Sequence, residues 1–276
     1  MTIPHRVLAN ARRIADRPAF LRPRGGDWEP VTWEGYGADL EAAAAGLVAL
    51  GLAPGGAVSI LGFNRPEWVV FDVAAMAAGG APAGIYTTNS AEEVGYILEH
   101  SRSRAVLVEN RAQWEKVAAV RSGLPDLEAI VLMEGDHGIE DDGTLSWQGL
   151  LSLGGGGDRD QVARRMGSLQ ADAPATLIYT SGTTGPAKGV VLTHDNLAWT
   201  ASTAIELLAI TADERVLSYL PLSHIAEQVF TIHAAATAGY AVWFARSVER
   251  LRSDLPEVRP TVFFGVPRVW EGMERG

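Results

Sequence analysis

Two apolar periods take turns along this chain. Thr32 stands before a stripe of Tyr36, Leu40, Ala44 and Leu47 that stops at Gly51. A hydroxyl cap followed by one apolar face predicts a helix. Residues 57–63 form an apolar run of buried-strand length. Asn64-Arg65-Pro66-Glu67 reads as the start of a helix capped by Asn64, and Gly79-Gly80 as its end. A strand at 81–86 precedes Ser90-Ala91-Glu92-Glu93, a capping box that opens a helix through Leu98. Strands at 105–108 and 129–133 flank a helix at 111–120. This alternation predicts an α/β fold of mostly parallel sheets with helices on both faces.

Residues 134–172 break the rhythm. They hold an acidic cluster (Glu134, Asp136, Glu140, Asp141, Asp142) and the glycine run 154–157. No strand precedes the glycines, so they predict a flexible connection and not a nucleotide loop. The acidic cluster reads as solvated surface. The alternation then resumes with a strand at 175–180, a helix at 194–208, a strand at 215–219 and a helix at 225–237. A strand at 240–244, a helix at 247–255, a strand at 261–264 and a helix start at Pro267 follow. The expectation is two α/β subdomains, 1–133 and 173–276, joined by 134–172, with the second truncated.

Bulk properties narrow the function. The chain has 276 residues, 47% of them hydrophobic, and a mean hydropathy of +0.06. That is ample for a buried core. A net charge of −10 speaks against nucleic acid as a partner. With no cysteine, disulfides, thiolate metal sites and a Cys nucleophile are excluded. Residues 1–20 lack the apolar core of a secretory signal, and the longest apolar stretch, 69–85, contains Asp72 and a Gly-Gly break. A cytoplasmic enzyme is the default expectation.

The chemistry concentrates in residues 180–188. They carry the hydroxyls of Thr180, Ser181, Thr183 and Thr184, the glycines Gly182 and Gly185, and the ammonium of Lys188. Glycines let backbone N–H groups approach a ligand, and hydroxyls add short donors beside them. Such a loop can wrap phosphate oxygens while Lys188 supplies a mobile charge. A Walker A loop needs Gly before the Lys and Ser or Thr after it. Here those places hold Ala187 and Gly189, and Val190-Val191-Leu192 continues as a strand. A ligand-free hydroxyl-rich turn is the bland alternative, and the ordered string weighs against it. Lys188 is one of two lysines against 21 arginines, and Lys is a compact point charge where Arg is a planar fork. The other, Lys116, reads as a surface residue.

The string resembles the phosphate loop [ST]-[ST]-G-[ST]-T-G-x-P-K-G of the adenylate-forming superfamily, which includes acyl-CoA synthetases. It departs at Pro186-Ala187, where the proline has moved one residue earlier. A second constellation is Pro221-Leu222-Ser223-His224-Ile225-Ala226-Glu227. It follows a strand end, where open α/β sheets bind ligands, although a His so placed is by itself more often structural. It looks like the L-P-L-x-H-x-x-E motif of long-chain acyl-CoA synthetases, with His224 on the motif His and Glu227 on the motif Glu. Asn64 to Trp68, the Ile85-Tyr86-Thr87-Thr88 segment with the capping box at Ser90, and Val266-Pro267-Arg268-Val269-Trp270-Glu271 also look like that branch. Trp68 and Trp270 read as core residues.

The resemblance implies the superfamily's two reactions. A fatty-acid carboxylate attacks the α-phosphate of ATP and expels pyrophosphate, and coenzyme A then displaces AMP from the acyl-adenylate. It implies Lys188 and His224 as catalytic residues, and Thr180, Ser181, Gly182, Thr183, Thr184, Gly185, Lys188 and Glu227 as cofactor-binding, with Thr183 also touching Mg2+. It is compatible with peripheral membrane contact for a lipid substrate and with oligomers. The adenine-side Y-G-x-T-E motif, the ribose T-G-D motif and the lysine-bearing C-terminal domain are not in the sequence. The expectation is therefore an N-terminal fragment that is inactive alone. An acyl-AMP or aryl-CoA ligase of the same superfamily, or a non-catalytic nucleotide-binding module, are the alternatives.

Overall fold

The computed structural model describes residues 1–135, 137–156, 159–180, 185–267 and 269–270. In chain order the elements are α1 (Ile3–Arg13), β1 (Pro18–Arg24), β2 (Asp27–Thr32), α2 (Trp33–Ala49), β3 (Ala57–Leu61), α3 (Pro66–Ala77), β4 (Ala81–Ile85), α4 (Ala91–Ser101), β5 (Ser103–Val108), α5 (Arg111–Val120), β6 (Ala129–Leu132) and β7 (Thr144–Ser146). There follow α6 (Trp147–Gly155), α7 (Arg159–Gly167), β8 (Pro174–Thr180), β9 (Lys188–Thr193), α8 (His194–Leu208), β10 (Arg215–Ser218), α9 (Ile225–Gln228), α10 (Ala234–Ala238), β11 (Ala241–Phe244) and α11 (Leu251–Val258).

Two sheets result. One has the order β7-β6-β5-β3-β4-β8-β9 and the other β10-β11-β1-β2. Both are parallel except for the antiparallel end strands β9 and β2. The strands cross the sequence division at 133 and 173. Strands β8 and β9 extend the first sheet beside β4, whereas β1 pairs with β11 and carries β2 with it.

Local signals explain many boundaries. Thr32 accepts from the Gly35 amide to cap α2, and the Ser90–Glu93 capping box opens α4. Helix α3 is buried on every side, which suits an apolar helix wedged between sheet and helices. Each fully buried Val, Leu or Phe side chain contributes about 1.5–3 kcal/mol.

Residues 134–172 depart from the flexible connection expected of them. Strand β7 joins the sheet edge, and α6 and α7 pack on α2. Trp147 and Leu150 are buried there, so the segment has an apolar face of its own. Gly154 serves close packing: a Cβ there would run into the Ala42 carbonyl oxygen. Asp136 of the acidic cluster and Gly157 of the glycine run lie outside the described residues.

Other expectations shift. The helix at 225–237 is broken by a π turn over Val229–His233, and the one at 247–255 forms as α11, three to four residues later. Residues 261–264 contribute a single bridge, Val216 to Val262. Lys116 donates to the Thr87 carbonyl at 2.7 Å, and Trp270 is 49% exposed. Arg268 and Glu271 lie outside the described residues.

Candidate active site

The phosphate string closes the β8–β9 hairpin. Thr180 and Lys188 are paired across the last rung of that ladder. Both side chains are exposed, and Lys188 has no hydrogen-bond or ion-pair partner among the described residues. Gly185 takes φ = +97°, a backbone conformation open to glycine. Ser181, Gly182, Thr183 and Thr184 lie outside the described residues.

Helix α4 fixes the hairpin through side chains that motif reading passed over. The Tyr96 hydroxyl donates to the Ala187 carbonyl at 3.0 Å. His100 Nδ1 lies 2.9 Å from the Tyr179 hydroxyl. Tyr96 and His100 stand four residues apart on one helix face, and that spacing is the only trace of the arrangement in the sequence.

The second constellation sits beyond the end of β10. Its loop is pinned from across the molecule by Asn64, which follows β3. Asn64 Nδ2 donates to Ser218 Oγ at 2.8 Å and to the Leu220 carbonyl at 2.7 Å. Its Oδ1 accepts from the Leu222 amide at 3.2 Å. Asn64 therefore does not cap α3: Arg65 is the N-cap residue and makes no side-chain capping bond. The loop also presses on β4, since a Cβ on Gly84 would lie 2.7 Å from Ser223 Cα.

His224 caps α9, with Nδ1 accepting from the Ala226 amide at 3.2 Å. With Nδ1 engaged as the acceptor, Nε2 is the outward nitrogen of an exposed ring. Glu227 is placed differently. Its carboxylate is buried, and Oε1 accepts from Ser218 Oγ at 2.7 Å and Thr231 Oγ1 at 2.8 Å. Burial pushes its pKa up to about 7, while those hydroxyls and the Tyr219 and Leu220 amides pull it down only part of the way. In this arrangement Glu227 braces the loop that carries His224.

Between the hairpin and the α9–α10 stretch lies an apolar cavity of about 300 Å³. Ile178, Val190 and Leu192 line one side and Leu197 of α8 another. Ile225 and Val229 close it from the helix that starts after His224, and Thr180 is at its wall. The structure thus brings Thr180, Lys188 and the His224 loop to one region, with an apolar space among them.

The family model described as "AMP-binding enzyme" matches residues 7–275. The chain belongs to that family. Among curated relatives it is 38% identical over 282 residues to the long-chain-fatty-acid–CoA ligase ACSBG2 of Xenopus laevis, covering 99% of this chain and 38% of that protein. It is 39% identical over 280 residues to human ACSBG2, covering 98% of this chain and 41% of that protein. The chain thus spans about two-fifths of the length of these relatives. Its fold is shared with the inhibitor-bound N-terminal domain of FACL13 from Mycobacterium tuberculosis, at TM-score 0.81, 24% identity and coverage of 100% of this chain and 65% of that one. It is shared also with ATP-bound MatB from Rhodopseudomonas palustris, at TM-score 0.74, 24% identity and coverage of 97% and 50%. No helix among the described residues is long and apolar enough to cross a membrane.

Proposed function

We propose that this chain supplies the phosphate-binding hairpin and the acyl cavity of an ATP-dependent fatty-acid–CoA ligase. The observation that carries the reading is the apolar cavity bounded by Thr180 on one side and by Ile225, the residue after His224, on another. An acid seated there has its chain in apolar surroundings and its carboxyl end at the polar rim. His224 Nε2–H orients the carboxylate, and Lys188 with Thr180 holds the phosphates of ATP. A carboxylate oxygen forms a bond to the α-phosphorus while the bond to pyrophosphate breaks. The thiol of coenzyme A then forms the thioester as AMP leaves. Positioning two anions for in-line attack is the main contribution of these residues.

The exposed Thr180 hydroxyl and the exposed Lys188 ammonium suit a magnesium-bound triphosphate, with Thr183 proposed as a metal contact. Bound magnesium spreads the charge of the leaving pyrophosphate. The proposed division of the chain is 1–133 and 173–276, exchanging strands between their sheets.

Calorimetry on the chain tests the reading with MgATP and palmitate as probes. Lys188→Ala is expected to weaken MgATP binding and spare palmitate. Val229→Trp, which fills the cavity, is expected to do the reverse. Failure of the wild-type chain to bind either ligand would remove the proposal. Benzoate binding in place of palmitate would favour an aryl-CoA ligase, and MgATP binding without any acid a nucleotide-binding module.

A further inference from the structure

A second cavity, of about 420 Å³, opens between α1 and α7 beside Glu41 of α2. It shares no lining residue with the acyl cavity, so what it binds is independent of that reading. Helix α1 faces it with His5, Leu8, Ala9 and Arg12. Helix α7 faces it with Arg159, Val162, Ala163 and Met166. Both sets follow the i, i+3, i+4, i+7 spacing of a single helix face. Each face is apolar in the middle and carries a guanidinium at one end. Leu8, Val162 and Met166 belong to the main core, so the trough reaches down to packed apolar side chains. An alanine in the middle of each face is short enough to keep it open.

The charged groups of the lining are Arg12, Arg159 and Glu41. Both arginines are exposed, so a ligand can reach them. Neither has a hydrogen-bond or ion-pair partner among the described residues. His5 Nδ1 lies 2.6 Å from Thr2 Oγ1. Burial, with the N-terminal ammonium, lowers the His5 pKa, so its ring adds no charge at neutral pH. Two guanidiniums against one carboxylate leave a surplus of one positive charge, on a chain whose net charge is −10. That local sign is complementary to an anion. A surplus of one matches a singly charged head, and the guanidinium fork matches a carboxylate.

We infer that the α1–α7 trough binds a single-chain amphiphilic carboxylate, the class to which fatty acids belong. Its alkyl chain lies against Leu8, Val162 and Met166, and Arg12 and Arg159 meet its charge.

NMR of the chain carrying 13C-methyl methionine tests this, with decanoate below its micelle concentration as the probe. Met166 lines the trough, and Met76 lies in the core away from it. Decanoate is expected to move the Met166 methyl signal saturably and to leave Met76 in place. Arg12→Gln combined with Arg159→Gln changes only exposed side chains, so the fold is expected to survive. That variant is expected to bind decanoate about tenfold more weakly, through loss of two exposed charge contacts. Decyltrimethylammonium, with the same chain and the opposite charge, is expected to bind the wild type at least about tenfold more weakly than decanoate. Equal binding of the two amphiphiles, or no weakening in the double variant, would overturn the inference. So would a Met166 signal that decanoate leaves unmoved. Movement with phosphatidylglycerol vesicles alone would assign the face to a lipid surface, and movement with protein concentration alone to a second copy; either overturns the inference. Val229→Trp, which fills the acyl cavity, is expected to leave the Met166 response intact. Loss of that response with the Met76 signal in place would make the shift a relay from the acyl cavity and overturn the inference.

Discussion

The Tyr96 hydroxyl holds the Ala187 carbonyl at 3.0 Å, one residue before Lys188. The same Tyr96 ring stacks on His100 with centroids 5.4 Å apart, and His100 meets Tyr179 on the opposite strand. Both strands of the hairpin are thus fastened to α4. Gly189 leaves room for the Tyr179 ring, which a Cβ there would meet at 3.2 Å. The place where the loop departs from the usual proline position, Pro186-Ala187, is the place that Tyr96 grips.

Tyr96→Phe keeps the stacked ring and deletes the grip. The expected cost is ~1 kcal/mol of stability by urea denaturation. MgATP binding by calorimetry is expected to weaken by up to about fivefold, because the strand that starts at Lys188 loses its tether. Unchanged affinity at reduced stability would show that the phosphate end holds its shape without α4.

Gly84 is the contact through which β4 supports the His224 loop. Gly84→Ala puts a methyl 2.7 Å from Ser223 Cα and 3.2 Å from Trp68. Neither a backbone atom nor a buried indole yields easily, so overpacking is expected to cost ~1–3 kcal/mol. The His224 ring resonances, followed by NMR, are expected to shift as the loop lifts. A variant with wild-type stability and unmoved His224 signals would mean that the loop does not rest on this strand.

What could be read from the sequence was local. Helix α8 forms over 194–208 as its pattern predicts, and the Ser90 capping box needs only four consecutive residues. The phosphate string and His224 stand at strand ends because the strand before each is apolar and short. Long-range partners left no such mark. Asn64 looks like a helix cap to its neighbours, yet its amide bonds Ser218, 154 residues away. Strands β1 and β2 carry Pro18, Pro23 and Pro30, with Gly25 and Gly26 in the turn between them, which obscure their period, and β1 pairs with β11 across more than half the chain. Glu227 falls on a motif position, but whether its carboxylate faces ligand or interior depends on Ser218 and Thr231.

The two glycines that end α6 stand in different packing environments. Gly154→Ala would drive a methyl into the Ala42 carbonyl oxygen, on the backbone of α2. The next residue, Gly155, has nothing within 4 Å of a Cβ. The first substitution is expected to cost ~3 kcal/mol or more, since two backbones must separate. The second is expected to change stability by no more than about 1 kcal/mol, and in the stabilising direction if helix propensity decides it. Equal thermal midpoints for the two variants would return the segment to the role of a loose connection.

Glu227 gives the fold a pH dependence whose sign follows from its surroundings. Loss of water raises its pKa from 4.5 to about 7, so between those values the folded chain holds a proton that the unfolded chain releases. Its contribution to stability is full below about pH 4.5 and is lost as pH rises through about 7, an effect on the order of 3 kcal/mol. Glu227→Gln keeps a carbonyl acceptor for Ser218 and Thr231 and cannot ionise. Urea denaturation at pH 5, 6, 7 and 8 is expected to show the wild type losing ground to the variant with each step, most steeply between pH 5 and 7. Parallel stability curves for the two proteins would mean that the carboxylate is already ionised in the fold at pH 5. The hydroxyls of Ser218 and Thr231 would then outweigh its burial, and the brace under His224 would be an anion at every working pH.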